Sequence, residues 1–172
     1  MPSAKPDPRL NLWRDDLAAA HLRAEVSAPR FVEGEDYTII APVTALRRSP
    51  ADGALQDSQL LYGEGFRVYE KKDRWAWGQA THDDYVGYVL AEDLQKTSPE
   101  MAPTHKVTAL RSFLYREPDI KTRPLMGVCM GAQLGVRRFE GRFAEMAEEM
   151  GGGFIHASHI AETHVFESNP IE

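Results

Sequence analysis

Four stretches of the chain carry side chains able to do chemistry. Cys129 sits in "LMGVCMGAQL". A nucleophilic thiolate wants a helix N-terminus and a nearby histidine. This run is apolar and of strand type, so Cys129 reads as a buried structural cysteine. His156 and His159 form an H-x-x-H. On a helix that spacing could offer two imidazoles to one metal. Here it falls in a closing strand and turn, with no acidic third ligand at a familiar spacing, so no metal and no cofactor is expected. "EMAEEMGGG" ends in three glycines. No strand-to-helix unit or following lysine makes them a phosphate loop, and the stretch predicts a hairpin with an acidic tip. In "DRWAWGQA", Trp75 and Trp77 lie two residues apart. On a strand they share one face, which is either core, a ligand platform, or one of each.

The elements that must position these residues are mostly short. The 172 residues allow one medium domain or two small ones. With 42% hydrophobic and 27% charged residues, the composition is that of a soluble globular protein. A net charge of −6 argues against a generic nucleic-acid or anionic-membrane surface, since both need a positive face. The single cysteine rules out an intrachain disulfide. The start, "MPSAKPDPRLNLWRDD", has no apolar h-region, and the expected location is cytoplasmic. Residues 1–36 predict an extended, proline-containing arm with one short α-helix. In "RDDLAAAHLRAEV" either Asp15 or Asp16 can cap it, with Leu17, Ala20, His21 and Ala24 on one side. From Tyr37 onward, β-type runs alternate with turn residues roughly every ten positions, as in a small barrel or sandwich.

A two-fold repeat organises most of this region. "LRRSP" from Leu46 meets "LYREP" from Leu114, and "GEGFRV" from Gly63 meets "GAQLGV" from Gly131, both at an offset of 68. "RWAWGQA" meets "RFAEMA", which sets Trp75 over Phe143 and Trp77 over Glu145. "GYVLAEDL" meets "GFIHASHI" at an offset of 66. The expected fold is mostly β: two SH3-like small barrels in tandem, at 37–96 and 105–164, joined by a linker at 97–104 and followed by a tail at 165–172. Trp75 then belongs to a position that both copies fill with an aromatic, and reads as core. Trp77 stands over a glutamate, so its ring faces outward, to a ligand surface or an interdomain contact.

At these blocks the sequence resembles bacterial SH3-like (SH3b) domains, through "LRRSP", "LYGEGFRVYE", the W-x-W strand and "YVGYVLAEDL". With the arm "DPRLNLWRDDLAAAHLRAEV" and "PRFVEGE" ahead of two copies, nearly the whole chain is similar to the N-terminal part of NlpC-type cell-wall cysteine peptidases. The resemblance implies a papain-like catalytic domain as partner in cis, and a murein peptide with a free N-terminus as substrate. The Asp-Cys-Ser-Gly type segment that carries that family's nucleophile is absent here. The chain therefore reads as a non-catalytic targeting or regulatory module. In the resembling enzymes the first barrel walls the pocket for the peptide's free ammonium. That implies Glu64 and Tyr85 as substrate-binding residues, with Trp77 beside them: the carboxylate to pair with the ammonium, the hydroxyl to accept from it. The second copy has Ala132 and Gly151 at those places. A free-standing module that binds a protein or cell-wall peptide is the alternative. Nucleic-acid binding lacks the basic, aromatic-interleaved patch it would need.

Overall fold

Period-two alternation of apolar side chains runs through most of the chain, and strands follow from it. A computed structural model of the protein describes residues 7–164. The first six residues of the arm and the tail at 165–172 lie outside the described residues. The chain divides into two compact units, one of residues up to 60 with 64–96, the other of 61–63 with residues from 97 onward. No helix among the described residues is long and apolar enough to cross a membrane.

The first unit contains β1 (Ala18–Ala19), β2 (Phe31–Val32), β3 (Glu35–Ile39), β4 (Val43–Arg47), β5 (Gln56–Leu61), β6 (Gly65–Lys72), β7 (Trp75–Ala80), β8 (Val86–Leu90) and β9 (Leu94–Lys96). Seven of them form one sheet in the order β5-β4-β8-β7-β6-β3-β9, while β1 and β2 make a separate parallel pair. The main core gathers Ile39, Leu46, Leu60, Phe66, Val68, Ala76, Ala80, Val89 and Leu94. On β7 only small residues face it. Gly78 allows β6 to come close, because a Cβ there would stand 2.1 Å from the Arg67 carbonyl oxygen. The opposite face of β7 carries Trp77, buried with Val86 under the arm residues Leu12, Leu17, Ala19 and Leu22.

The arm does this without an α-helix. Residues Leu17, Ala18 and Ala19 are all fully buried, and three consecutive buried residues suit an extended segment covered on both sides. Ala18 and Ala19 pair with Phe31 and Val32, and only a three-residue 3-10 turn follows, at Ala20–Leu22. Asp16 is drawn to Arg14 and caps nothing. His21 and Ala24, expected on the packed side of a helix, are exposed.

The second unit contains β10 (His105–Val107), β11 (Arg111–Tyr115), β12 (Pro124–Cys129), β13 (Gln133–Leu134), β14 (Val136–Glu140), β15 (Phe143–Met146), β16 (Phe154–His156) and β17 (Ile160–Glu162). They form sheets in the orders β12-β11-β16-β15-β14 and β13-β10-β17. Strand limits repeat between units: β4 plus 68 gives 111–115, the limits of β11, and β5 plus 68 gives 124–129, those of β12. The pairings β3–β9, β4–β8 and β6–β7 have counterparts in β10–β17, β11–β16 and β14–β15. Gly63 and Gly131, also 68 apart, both adopt left-handed φ, at 81° and 93°. The counterpart of β6 is interrupted at Gly135, which divides the second unit's strands into two sheets. Among the described residues, no sheet of either unit closes on itself.

Phe66 is fully buried in the main core of the first unit. Phe66→Ala is expected to cost about 3–5 kcal/mol of stability. Leu55→Ala, at a residue 69% exposed, should stay within about 0.5 kcal/mol. Denaturant melts followed by circular dichroism check both.

Candidate functional site

The outer face of β7 is built by a change in the neighbouring strand. Val68 pairs with Gly78, but Glu70, not Tyr69, pairs with Trp77. This bulge inserts one extra residue and re-aims the chain. Val68 therefore packs in the main core, whereas Tyr69 packs on the arm side and sets its ring edge-on to Trp77 at 6.2 Å. Glu70, Trp77 and Tyr88 now lie side by side across β6, β7 and β8.

Arg14 of the arm closes over this row. Its guanidinium lies 4.4 Å from the centre of the Trp77 ring. It donates to Glu70 Oε2 at 2.5 Å, to the Tyr88 hydroxyl at 3.1 Å and to Asp16 Oδ1 at 2.9 Å. Arg30 donates to the other Glu70 oxygen at 2.7 Å. Two arginines thus face two carboxylates. Burial works against the charge of Arg14, yet the bonds to Asp16 and Glu70 outweigh it and raise its pKa. Burial also opposes the Glu70 carboxylate, and the bonds from Arg14 and Arg30 hold its pKa below the usual carboxylate range. Beside this clasp opens a cleft of about 740 Å³, walled by Trp75, Trp77 and Tyr88 and edged by Lys72 and Arg74. Its mixed charges and aromatic walls suit a polar ligand with an apolar or planar part.

The residues singled out from sequence do not meet here. Trp77 lines the cleft but is only 3% exposed, its outward face covered by the arm and by Arg14. Trp75 is buried too, at 7%, yet it faces the cleft and is not part of the main core; Phe143, 8% exposed, is its counterpart in the second unit. Tyr85 is half-buried against the main core, on the other side of the sheet from Trp77. Glu64 is half-buried in the turn before β6, where its carbonyl accepts from the Ile39 N–H at 2.9 Å. Neither lines the cleft. Cys129 ends β12, paired in register with Arg111 and half-buried rather than buried. The acidic tip expected at "EMAEEMGGG" is a 3-10 turn, Glu148–Met150, with Met150 buried beneath it. His156 and His159 lie together, ring centres 5.3 Å apart, but no group of three or more His, Cys, Asp or Glu side chains placed to hold a metal occurs among the described residues.

A family model described as the bacterial dipeptidyl-peptidase Sh3 domain matches residues 46–94. That segment runs from the end of β4 to the start of β9. Among solved structures, an NlpC/P60 family protein from Bacillus cereus ATCC 10987 is similar in fold, with a TM-score of 0.61 at 15% identity. The alignment covers 74% of this chain and 56% of that one, so this chain spans little more than half of the Bacillus protein. NlpC2 and NlpC1 from Trichomonas vaginalis align over 81% of this chain and 52% and 50% of theirs, at 10% and 11% identity and a TM-score of 0.34 each. No curated protein matches the chain.

The clasp has a pH signature. A carboxyl whose folded pKa is depressed stabilises the fold fully above its unfolded pKa, about 4.3 for glutamate, and loses that contribution as pH falls through the lower folded value. Glu70→Gln is therefore expected to lower stability at pH 7 and to flatten its loss on acidification. Arg14→Ala should cost about 1–3 kcal/mol through its charged hydrogen bonds and ring contact. Urea melts between pH 7 and pH 3 read both effects; parallel pH curves for wild type and Glu70→Gln would contradict the assignment.

Proposed function

We propose that the chain is a tandem SH3b module, non-catalytic by itself, that targets or regulates an NlpC-type cysteine peptidase acting on murein peptides. The observation that carries this reading is the match of residues 46–94 to the dipeptidyl-peptidase Sh3 domain. The repeated strand limits support two copies of one fold, at 37–96 and 105–164, after the arm. The likeness to the Bacillus NlpC/P60 protein, which is longer than the stretch aligned, is in keeping with a catalytic peptidase domain as the partner in cis; the papain-like nature of that domain and a cytoplasmic, peptide-trimming role are further parts of the proposal. In this reading the first copy contributes Glu64 and Tyr85 to a pocket for the free amino end of the peptide, while Trp77, under the arm on the other face of the sheet from Tyr85, belongs to the separate cleft. On the same reading Cys129 is a structural cysteine and the chain carries no nucleophile of its own.

An ion pair still reached by solvent contributes on the order of 1 kcal/mol or less, so Glu64→Gln, at a half-buried residue, should weaken binding of an L-Ala-γ-D-Glu-diamino acid peptide by about fivefold or less. The N-acetylated peptide lacks the ammonium and should bind wild type and variant alike. Calorimetry with both peptides decides: an equal effect on the two makes Glu64 a surface residue. Peptide turnover by the chain alone, lost in Cys129→Ser, would overturn the non-catalytic reading.

A further inference from the structure

We infer that the second unit carries a pocket for a small carboxylate attached to an apolar group, with His156 as its hydrogen-bond donor and His159 beside it. The pocket, about 260 Å³, is lined by Ser112, Phe113 and Tyr115 of β11, by Ile120, and by the two histidines. That is room for a ligand the size of one small aromatic acid. His156 ends β16, and His159 ends the 3-10 turn that follows.

Both rings are fixed by their Nδ1 atoms. His159 Nδ1 lies 2.8 Å from the hydroxyl of Ser112, a residue only 2% exposed. His156 Nδ1 lies 2.7 Å from the Ser158 hydroxyl and also accepts the Ser158 backbone N–H at 3.4 Å. A backbone N–H only donates, so this nitrogen holds the lone pair and the neutral His156 ring carries its proton on Nε2. That edge then offers a donor. A metal would need the lone pair there, whereas a carboxylate oxygen accepts from the N–H. Phe113 and Tyr115, ring centres 6.2 Å apart, supply an apolar wall, and Ile120, 62% exposed, forms its rim. The Arg111 guanidinium over Phe113, 5.0 Å from the ring centre, adds positive charge beside that wall.

The fold does not demand this set. At the matching places the first unit has Thr44, Ala45, Arg47, Leu90 and Asp93. Thr44 keeps the hydroxyl contact, but to the Asp93 carboxylate at 2.5 Å, which would repel an anion. What both units share is the hydroxyl bond to the turn; the imidazoles and the aromatic wall belong to the second unit alone.

Benzoate and benzamide, alike in shape and different in charge, test the site on the whole chain by NMR of the imidazole nitrogens. Benzoate is expected to shift both histidines saturably, and benzamide to bind at least roughly tenfold more weakly, the size of one charged hydrogen bond. His156→Phe keeps a ring against Phe143 and should weaken benzoate by roughly fivefold or more with the amide spectrum otherwise unchanged. If His159→Phe unfolds the unit by stranding Ser112, His156→Phe still decides. Equal binding of the two probes, shifts that never saturate, unchanged affinity in His156→Phe, or stoichiometric Zn²⁺ capture by both rings would each overturn the inference.

Discussion

Strand β7 has to be buried on both faces, and much of the first unit follows from that constraint. Its inner side touches the main core through Ala76 and Ala80 alone, because Phe66, Leu46 and Val89 already fill the space. Its outer side presents two tryptophans, far too much apolar surface to leave against water in a small unit. The arm answers by laying Leu12, Leu17, Ala19 and Leu22 across Trp77 and Val86. The small-inside, large-outside pattern therefore places the arm and the sheet in one folding unit, in which neither buries its apolar face alone.

Covering the tryptophans brings charge into a half-buried place. A guanidinium over an indole is attracted by the ring, but losing water costs it several kcal/mol unless its hydrogen bonds are met. Arg14 meets them with Glu70, Asp16 and Tyr88, and Arg30 completes the balance on Glu70. The bulge in β6 is what delivers Glu70 to this side. Fold and electrostatics are joined at that single extra residue: without it, period-two alternation would send the carboxylate of Glu70 inward beside Val68.

Local pattern made the strands legible. The β-type runs expected from Tyr37 onward, "RWAWGQA" and "YVGYVLAEDL" among them, contain strands, because alternation is a property of neighbours. The arm reads as helical in sequence because alanines and a capping aspartate favour a helix locally, while burial of three successive residues and pairing with Phe31 and Val32 favour an extended chain. The W-x-W motif marked the right place, yet its cover was invisible. Glu70 and Tyr88 lie 56 and 74 residues along the chain from Arg14, which joins them, and a bulge leaves no fixed mark in composition. Glu64 and Tyr85 came from likeness to a family, and the sheet separates Tyr85 from Trp77.

The dependence of β7 on the arm bears on how the protein can be dissected. Residues 46–94 match a domain by sequence, and cutting there would follow the similarity. Such a fragment would carry Trp77, Val86 and Tyr69 as an open apolar surface, together with a Glu70 carboxylate stripped of both arginines. Surfaces of that kind bind one another in solution. The autonomous piece of this half of the protein therefore begins upstream of the recognisable domain, at the arm, and a shorter excision would be expected to report self-association instead of the domain's own properties.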